Sequence, residues 1–264
     1  MEKNDPTSNR RPPVVLVPGG VNPAAISYGP LLEVIKDEAE VVVKDLEVYA
    51  ADTPPTGYGL ELEVEGIKRA AEAAHLKSFH LVGYSGGGAA SLAFTAKYPE
   101  LVRSLALIEP AWIGSDPTPE EAVGWAEIDR VMALPPDERM QAFISAGLRP
   151  GVQLPPFPPG PPPPWMARRP AGLEAMNRAF KTYYLDRENF RHFRRPVYLA
   201  LGSLSHPIEE HKAKVLTSLF PDIRVEVYEG LHHFNPPHRA EPERFARALR
   251  ELWARSEMAA SVNG

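Results

Sequence analysis

The chain has 264 residues, 44% hydrophobic and 24% charged, with a formal net charge of −5. That is a globular composition with length enough for a sizeable core. The acidic balance argues against a general electrostatic grip on nucleic acid or an anionic membrane, since both need a basic face. The lack of any cysteine excludes a thiol nucleophile, a disulfide framework, an iron–sulfur cluster and a thiolate zinc site.

Residues 1–13 are polar and contain no apolar signal core, and no window reaches the ~20 apolar residues of a membrane span. The expectation is a cytoplasmic protein with no membrane span. Val14-Val15-Leu16-Val17 reads as the first strand, followed by a Pro-Gly-Gly break and a helix through Tyr28, Leu31, Leu32 and Ile35. Val41-Val42-Val43 reads as a second strand, and residues 62–74 as a helix with Val64, Ile67, Ala71 and Ala74 on one face. Residues 79–83 form a third apolar run, and the helix after it starts within the glycines beyond Ser85. Further strands are expected at 104–109, 196–201 and 223–228, and a last helix runs on from Phe245. Most of these runs are continuously apolar, as in a parallel sheet covered on both faces. The sixth run alternates at its start, which suits an edge strand. Repeated strand–helix units imply an α/β fold with a doubly wound, mostly parallel sheet.

The alternation breaks between Ala111 and about Phe193. Residues 1–110 and 194–264 are read as the core, and 111–193 as an inserted helical, proline-rich cap or lid. Trp125, Ile128 and Met132 share one helical face, residues 140–148 fit a second helix, and Leu173, Met176, Phe180 and Tyr184 share a third. Of the 30 prolines, ten fall between Pro150 and Pro170, in a run that lacks the donors for helix or central strand. A stiff polyproline II loop is expected there.

Gly83-Tyr84-Ser85-Gly86-Gly87 fits G-x-S-x-G between a strand and an Ala-rich helix. A serine on so tight a turn has a strained backbone and an exposed hydroxyl, while the helix start aims N–H donors at developing negative charge. A bare glycine turn or phosphate cradle is the competing account. The Gly-Lys-Ser/Thr of a phosphate loop is absent, however.

With this elbow in its setting, the chain resembles the α/β-hydrolase superfamily over nearly its whole length. The family's strand followed by His-Gly matches Leu16-Val17-Pro18-Gly19-Gly20, with Pro18 in the histidine's place. The resemblance implies a nucleophile at Ser85 and an oxyanion hole from the N–H of Gly20 (or Val21) and of Gly86. The segment Glu229-Gly230-Leu231-His232-His233 resembles the family's G-x-x-H, with His233 favoured as general base over His232 and His238 read as a structural or mouth residue. Where the family most often carries an aspartate, Gly202-Ser203-Leu204-Ser205 has a serine. The resemblance then points to Glu109, at the end of the strand after the elbow helix, as the triad acid, with Glu209 and Glu210 as the other candidates.

A serine elbow suits acyl transfer to water through an acyl-enzyme. The expected activity is that of a carboxylesterase on a small apolar ester or lactone. A lactonase or C–C bond hydrolase using the same triad, and a binding protein with weak turnover, are the alternatives. Tyr84 and the cap loop residues Phe157 and Trp165 are the candidate pocket residues. The other cap aromatics, Trp112, Trp125, Tyr183 and Tyr184, read more naturally as core. Arg168 and Arg169 could bind a carboxylate, although a solvated loop is the favoured account. No cofactor, metal or nucleic-acid partner is called for, and the edge strand or the cap would support a homodimer.

Overall fold

The computed structural model describes residues 11–154 and 160–262. All six apolar runs form strands: β1 (Pro13–Val17), β2 (Glu40–Val43), β3 (Phe79–Tyr84), β4 (Val102–Ile108), β5 (Val197–Gly202) and β6 (Ile223–Tyr228). They pair in parallel in the order β2-β1-β3-β4-β5-β6. Chain order reverses between β1 and β3, and the crevice beyond the carboxyl ends of strands at such a reversal is where parallel sheets receive ligands.

The continuous apolar runs are explained by burial on both faces. Val14 and Leu16 of β1 pack with α1 (Ala24–Ile35) and the final helix, through Tyr28, Leu31, Phe245 and Leu249. Val15 and Val17 point the other way, into a second layer with Val64 and Ile67 of α2 (Leu60–Ala73) and Leu92 of α3 (Gly86–Lys97). At the sheet edge, β6 has Val225 and Val227 exposed, in keeping with its alternating sequence.

Between β4 and β5 lie α4 (Pro119–Met132), α5 (Pro136–Ala146) and α6 (Arg169–Thr182). A capping box starts α4: the Thr118 hydroxyl accepts from the Glu121 N–H, and the Glu121 carboxylate accepts from the Thr118 N–H at 2.8 Å. Since α6 ends at Thr182, Tyr184 falls outside the expected helical face and is exposed. Of the expected polyproline loop, residues 155–159 lie outside the described residues. Pro163 has polyproline II dihedrals (φ −56°, ψ 147°), and Pro164 then opens a short 3-10 turn, Pro164–Arg168. Proline is tolerated there because the first N–H of a helical turn has no partner within it. Beyond β5 come α7 (Ile208–Leu219), the short α8 (Pro237–Ala240), which carries no apolar periodicity to announce it, and α9 (Pro242–Val262). Among the described residues no helix is long and apolar enough to cross a membrane.

Candidate active site

Ser85 follows β3 directly and adopts φ 51°, ψ −116°, a left-handed backbone that a non-glycine residue rarely takes. Close packing holds it there. A β-carbon at Gly87 would lie 2.4 Å from the carbonyl oxygens of Val17 and Pro18, so only glycine lets the turn press against β1. The Gly87 N–H donates to Pro18 O at 3.0 Å, and the Ala111 N–H to Ser85 O at 2.9 Å.

Glu109 directly follows β4, with another positive φ, 41°. Its carboxylate is 2% exposed and fully engaged: Oε1 accepts from the Gly202 N–H at 2.6 Å and the Ser205 hydroxyl at 2.5 Å, and Oε2 lies 2.8 Å from His233 Nδ1. Burial alone would raise its pKa. The bonds from His233, Gly202 and Ser205 outweigh burial and hold the carboxyl below its ordinary value. Ser205, where the sequence lacks an aspartate, therefore serves the displaced carboxylate as a donor.

His233 sits in the loop after β6, with Nε2 3.0 Å from Ser85 Oγ. The carboxylate fixes the proton on Nδ1 and leaves Nε2 to accept from the serine. Tyr84 lies behind this series, outside the cavity: its hydroxyl donates to His233 O and its ring packs 5.4 Å from the imidazole. The structure thus brings Ser85, His233 and Glu109 into one hydrogen-bonded line.

His232 turns aside and accepts from the Phe234 N–H through Nδ1. His238 is fully buried against Tyr28, Tyr84 and Phe245, bonds Ser27 through Nε2, and is pushed down to about 3 by burial. Glu210 is exposed and pairs with Arg149, whereas Glu209 is buried and pairs with Lys212 at 2.7 Å. Neither takes the position beside Nδ1.

Gly20 and Gly86 face the same cavity as Ser85. A β-carbon at Gly86 would stand 3.8 Å from the Gly20 nitrogen, so the two backbones adjoin. Gly86 opens α3, where the first N–H groups have no partner inside the helix and the dipole favours negative charge.

The cavity is about 140 Å³, room for about ten waters by that measure, and thus suited to a small substrate. Trp125 and Ile128 of α4, Phe143 of α5, and Leu173, Met176 and Phe180 of α6 line it. Trp165 does not, and much of the aromatic part of the wall comes from helical residues. Phe157 lies outside the described residues. Arg168 donates to the carbonyls of Tyr49 and Ala51, and Arg169 stacks on the Tyr49 ring at 3.8 Å, so neither is offered to a substrate carboxylate. Sequence reasoning passed over Tyr49, whose hydroxyl donates to Gly20 O at 2.7 Å. It also passed over Lys212 and Asn177, polar residues of the cavity wall. Among the described residues no group of three or more His, Asp or Glu is placed to hold a metal ion.

Fold and site together define a hydrolase of the α/β class. The chain belongs to the alpha/beta hydrolase family, whose model matches residues 14–248. Its fold is similar to that of a thermophilic esterase from Thermogutta terrifontis (TM-score 0.70, 19% identity, 94% of this chain and 91% of that one). It is likewise similar to carboxylesterase CesB from Bacillus subtilis (TM-score 0.64, 19% identity, 92% and 84%). A stretch of 101 residues is 36% identical to pyrrolizixenacetamide deacetylase from Xenorhabdus hominickii, spanning 37% of this chain and 37% of that protein.

Proposed function

We propose that the protein is a serine hydrolase that cleaves carboxylic esters through an acyl-enzyme. Ser85 is the nucleophile, His233 the general base and acid, Glu109 the partner of the imidazole, and the N–H groups of Gly20 and Gly86 the oxyanion donors. The observation that carries this reading is the continuous series Ser85 Oγ to His233 Nε2 at 3.0 Å and His233 Nδ1 to Glu109 at 2.8 Å, at the wall of an apolar cavity.

In the first step Ser85 Oγ attacks the ester carbonyl and its proton passes to His233 Nε2. The carbonyl oxygen gathers negative charge between the two glycine amides. The imidazolium is stabilised by Glu109, which stays ionised. Collapse breaks the bond to the alcohol, which leaves with the proton from Nε2. Water then repeats the sequence on the acyl-enzyme, releasing the acid and restoring Ser85. A lactone, as an internal ester, fits the same steps. Residues 111–193 act in this reading as a cap whose helices shape the cavity over Ser85. The partial match to a deacetylase favours a second reading, in which the bond cleaved is an amide and His233 protonates the leaving nitrogen.

The test is covalent labelling by a fluorophosphonate, lost in Ser85→Ala, together with acid release from a panel of p-nitrophenyl esters, lactones and N-acetyl amines. An unlabelled native protein would overturn the nucleophile assignment. Cleavage confined to the amides would replace the ester reading with the second one.

A further inference from the structure

Among the polar side chains of the cavity wall that the steps above do not use, Glu209, Lys212 and Asn177 stand out. Glu209 and Lys212, one helical turn apart on α7, are 8% and 7% exposed, and both line the cavity beside Ser85 and His233. Lys212 Nζ donates to Glu209 Oε1 at 2.7 Å and to Pro110 O at 2.6 Å. An ammonium has three N–H donors, so one remains. Glu209 Oε2 is buried with no hydrogen-bond partner. On α6, Asn177 also lines the cavity; its Nδ2 donates to Asp129 at 3.0 Å, which fixes the amide's orientation and leaves the buried Oδ1 without a partner.

Open buried acceptors are uncommon in folded proteins, and each one calls for an explanation. Both acceptors are already shielded from solvent and unpaired, and an alkyl substrate leaves them so. A substrate that brings a donor within reach of one of them gains a buried hydrogen bond, about tenfold to a hundredfold in binding. Glu209 Oε2 and the third Lys212 N–H also belong to one ion pair, so an acceptor and a donor are presented together. Their complement is a neutral group that both donates and accepts.

We infer that Glu209 and Lys212 form a polar subsite in the cavity of Ser85 that selects substrates bearing an amide or hydroxyl group near the scissile bond. The inference rests on reading this cavity as the substrate site. It sharpens the expectation of a wholly apolar ester: the acyl or leaving group is small and mostly apolar but carries one such polar group.

The experiment compares p-nitrophenyl esters matched in shape. N-acetylglycinate against 4-oxopentanoate exchanges an amide N–H for a methylene, and 3-hydroxybutyrate against 3-methylbutyrate exchanges a hydroxyl for a methyl. The native protein should prefer the polar member of at least one pair by about tenfold or more in kcat/KM, and the pair that responds tells amide from hydroxyl. In Glu209→Leu/Lys212→Leu that ratio should fall toward one. Replacing a buried ion pair by apolar residues of similar size is often tolerated by the fold. If this variant does not fold, Glu209→Gln serves: its amide oxygen takes the Lys212 bond and its N–H₂ faces the cavity, so the amide preference should reverse toward 4-oxopentanoate. Ratios near one for both pairs in the native protein, or ratios unmoved by the variants, overturn the inference. Ligand-observed NMR on Ser85→Ala with the methyl esters of the same acids reads the selection without turnover. Preferential binding there, with no hydrolysis by the native protein, would sink the esterase reading and leave the subsite standing. Hydrolysis without any preference would do the reverse.

Discussion

Two buried carboxylates stand by one cavity on different plans: Glu209 lines it, whereas Glu109 lies behind its wall and reaches it through His233. Glu109 stands in the strained turn after β4, where a positive φ and three donors leave neither oxygen open. Glu209 stands in the first turn of α7, an ordinary helix, with one oxygen on Lys212 and the other unpartnered. A carboxylate held from every side can orient an imidazole but has no capacity left for a ligand. A carboxylate held from one side can take a ligand but does not define a direction. Backbone strain and full hydrogen bonding thus accompany the proposed reacting line, and incomplete hydrogen bonding the proposed polar subsite.

The largest expected effect breaks this comparison if it fails. Glu109→Gln keeps the shape of the side chain but removes the charge that stabilises the imidazolium, and kcat should fall about 10³–10⁴-fold with the fold intact by circular dichroism. Glu209→Gln should alter which substrates are used without a loss on that scale. Equal losses in both variants, measured on one ester, would show that the two carboxylates act together.

The pH dependence of stability separates them next. The Glu109 carboxyl is held below its ordinary value of 4.5, so it adds stability above that pH, and the gain disappears as pH falls through the lowered value. The Glu209 carboxyl runs the other way. Burial raises it, with the charge of Lys212 opposing and that of Glu109 adding, so its contribution is full at low pH and is lost as pH rises through the raised value. Thermal melts at pH 4 and pH 7 should therefore show Glu109→Gln losing more, relative to wild type, at pH 7 than at pH 4. Glu209→Gln should compare better with wild type at pH 7 than at pH 4. The opposite signs of the two differences between pH 4 and pH 7 are the expected outcome, and equal signs would break the comparison.

Much of this was legible in the sequence because it rests on local pattern. The six apolar runs needed only burial on both faces to announce a parallel sheet, and the glycines around Ser85 announced a turn too tight for a β-carbon. The position of Glu109 was legible from chain order, but its partners were not. Ser205 lies 96 residues away, and only the fold reveals that a serine in place of an aspartate donates to the carboxylate. Residues 111–193 are the least legible. Aromatic residues at helical spacing look the same whether they face a core or a cavity: Trp125 packs against the core and also lines the cavity, whereas Trp165 is absent from the lining. Likewise, the spacing of Glu209 and Lys212 is visible in the sequence, whereas their burial depends on the elements packed against α7, α4 among them.

Ser205 tests how far a positioning partner matters. Ser205→Ala deletes one of the two donors to Glu109 Oε1 and leaves the 2.6 Å bond from Gly202. About a tenfold fall in kcat with little change in KM is expected, because the carboxylate can tilt while the substrate contacts persist. Ser205→Thr should restore most of the rate by keeping the hydroxyl. A loss shared by Ala and Thr would instead mean a packing role in the loop that bonds back to α5, where Gly147 O accepts from the His206 N–H.

The smallest effect concerns the link between α6 and the loop that carries Gly20. Tyr49 ends a 3-10 turn, Glu47–Tyr49, after β2. Burial pushes its phenol up to about 12, with Arg169 opposing, so at neutral pH it remains a donor, and it gives its proton to Gly20 O. Arg169 stacks on its ring, and α6 presses so close that a β-carbon at Gly172 would lie 2.0 Å from Tyr49 Cε1. The ring therefore carries the position of α6 to the peptide that follows Gly20. Tyr49→Phe keeps the packing and removes one hydrogen bond, which predicts a two- to fivefold fall in kcat and about 1 kcal/mol of stability at most. Gly172→Ala keeps the bond's donor but forces the ring to move, and its loss should exceed that of Tyr49→Phe. If the order of the two is reversed, the hydroxyl and not the packing holds the loop, and α6 then lines the cavity without bearing on the proposed oxyanion donor Gly20.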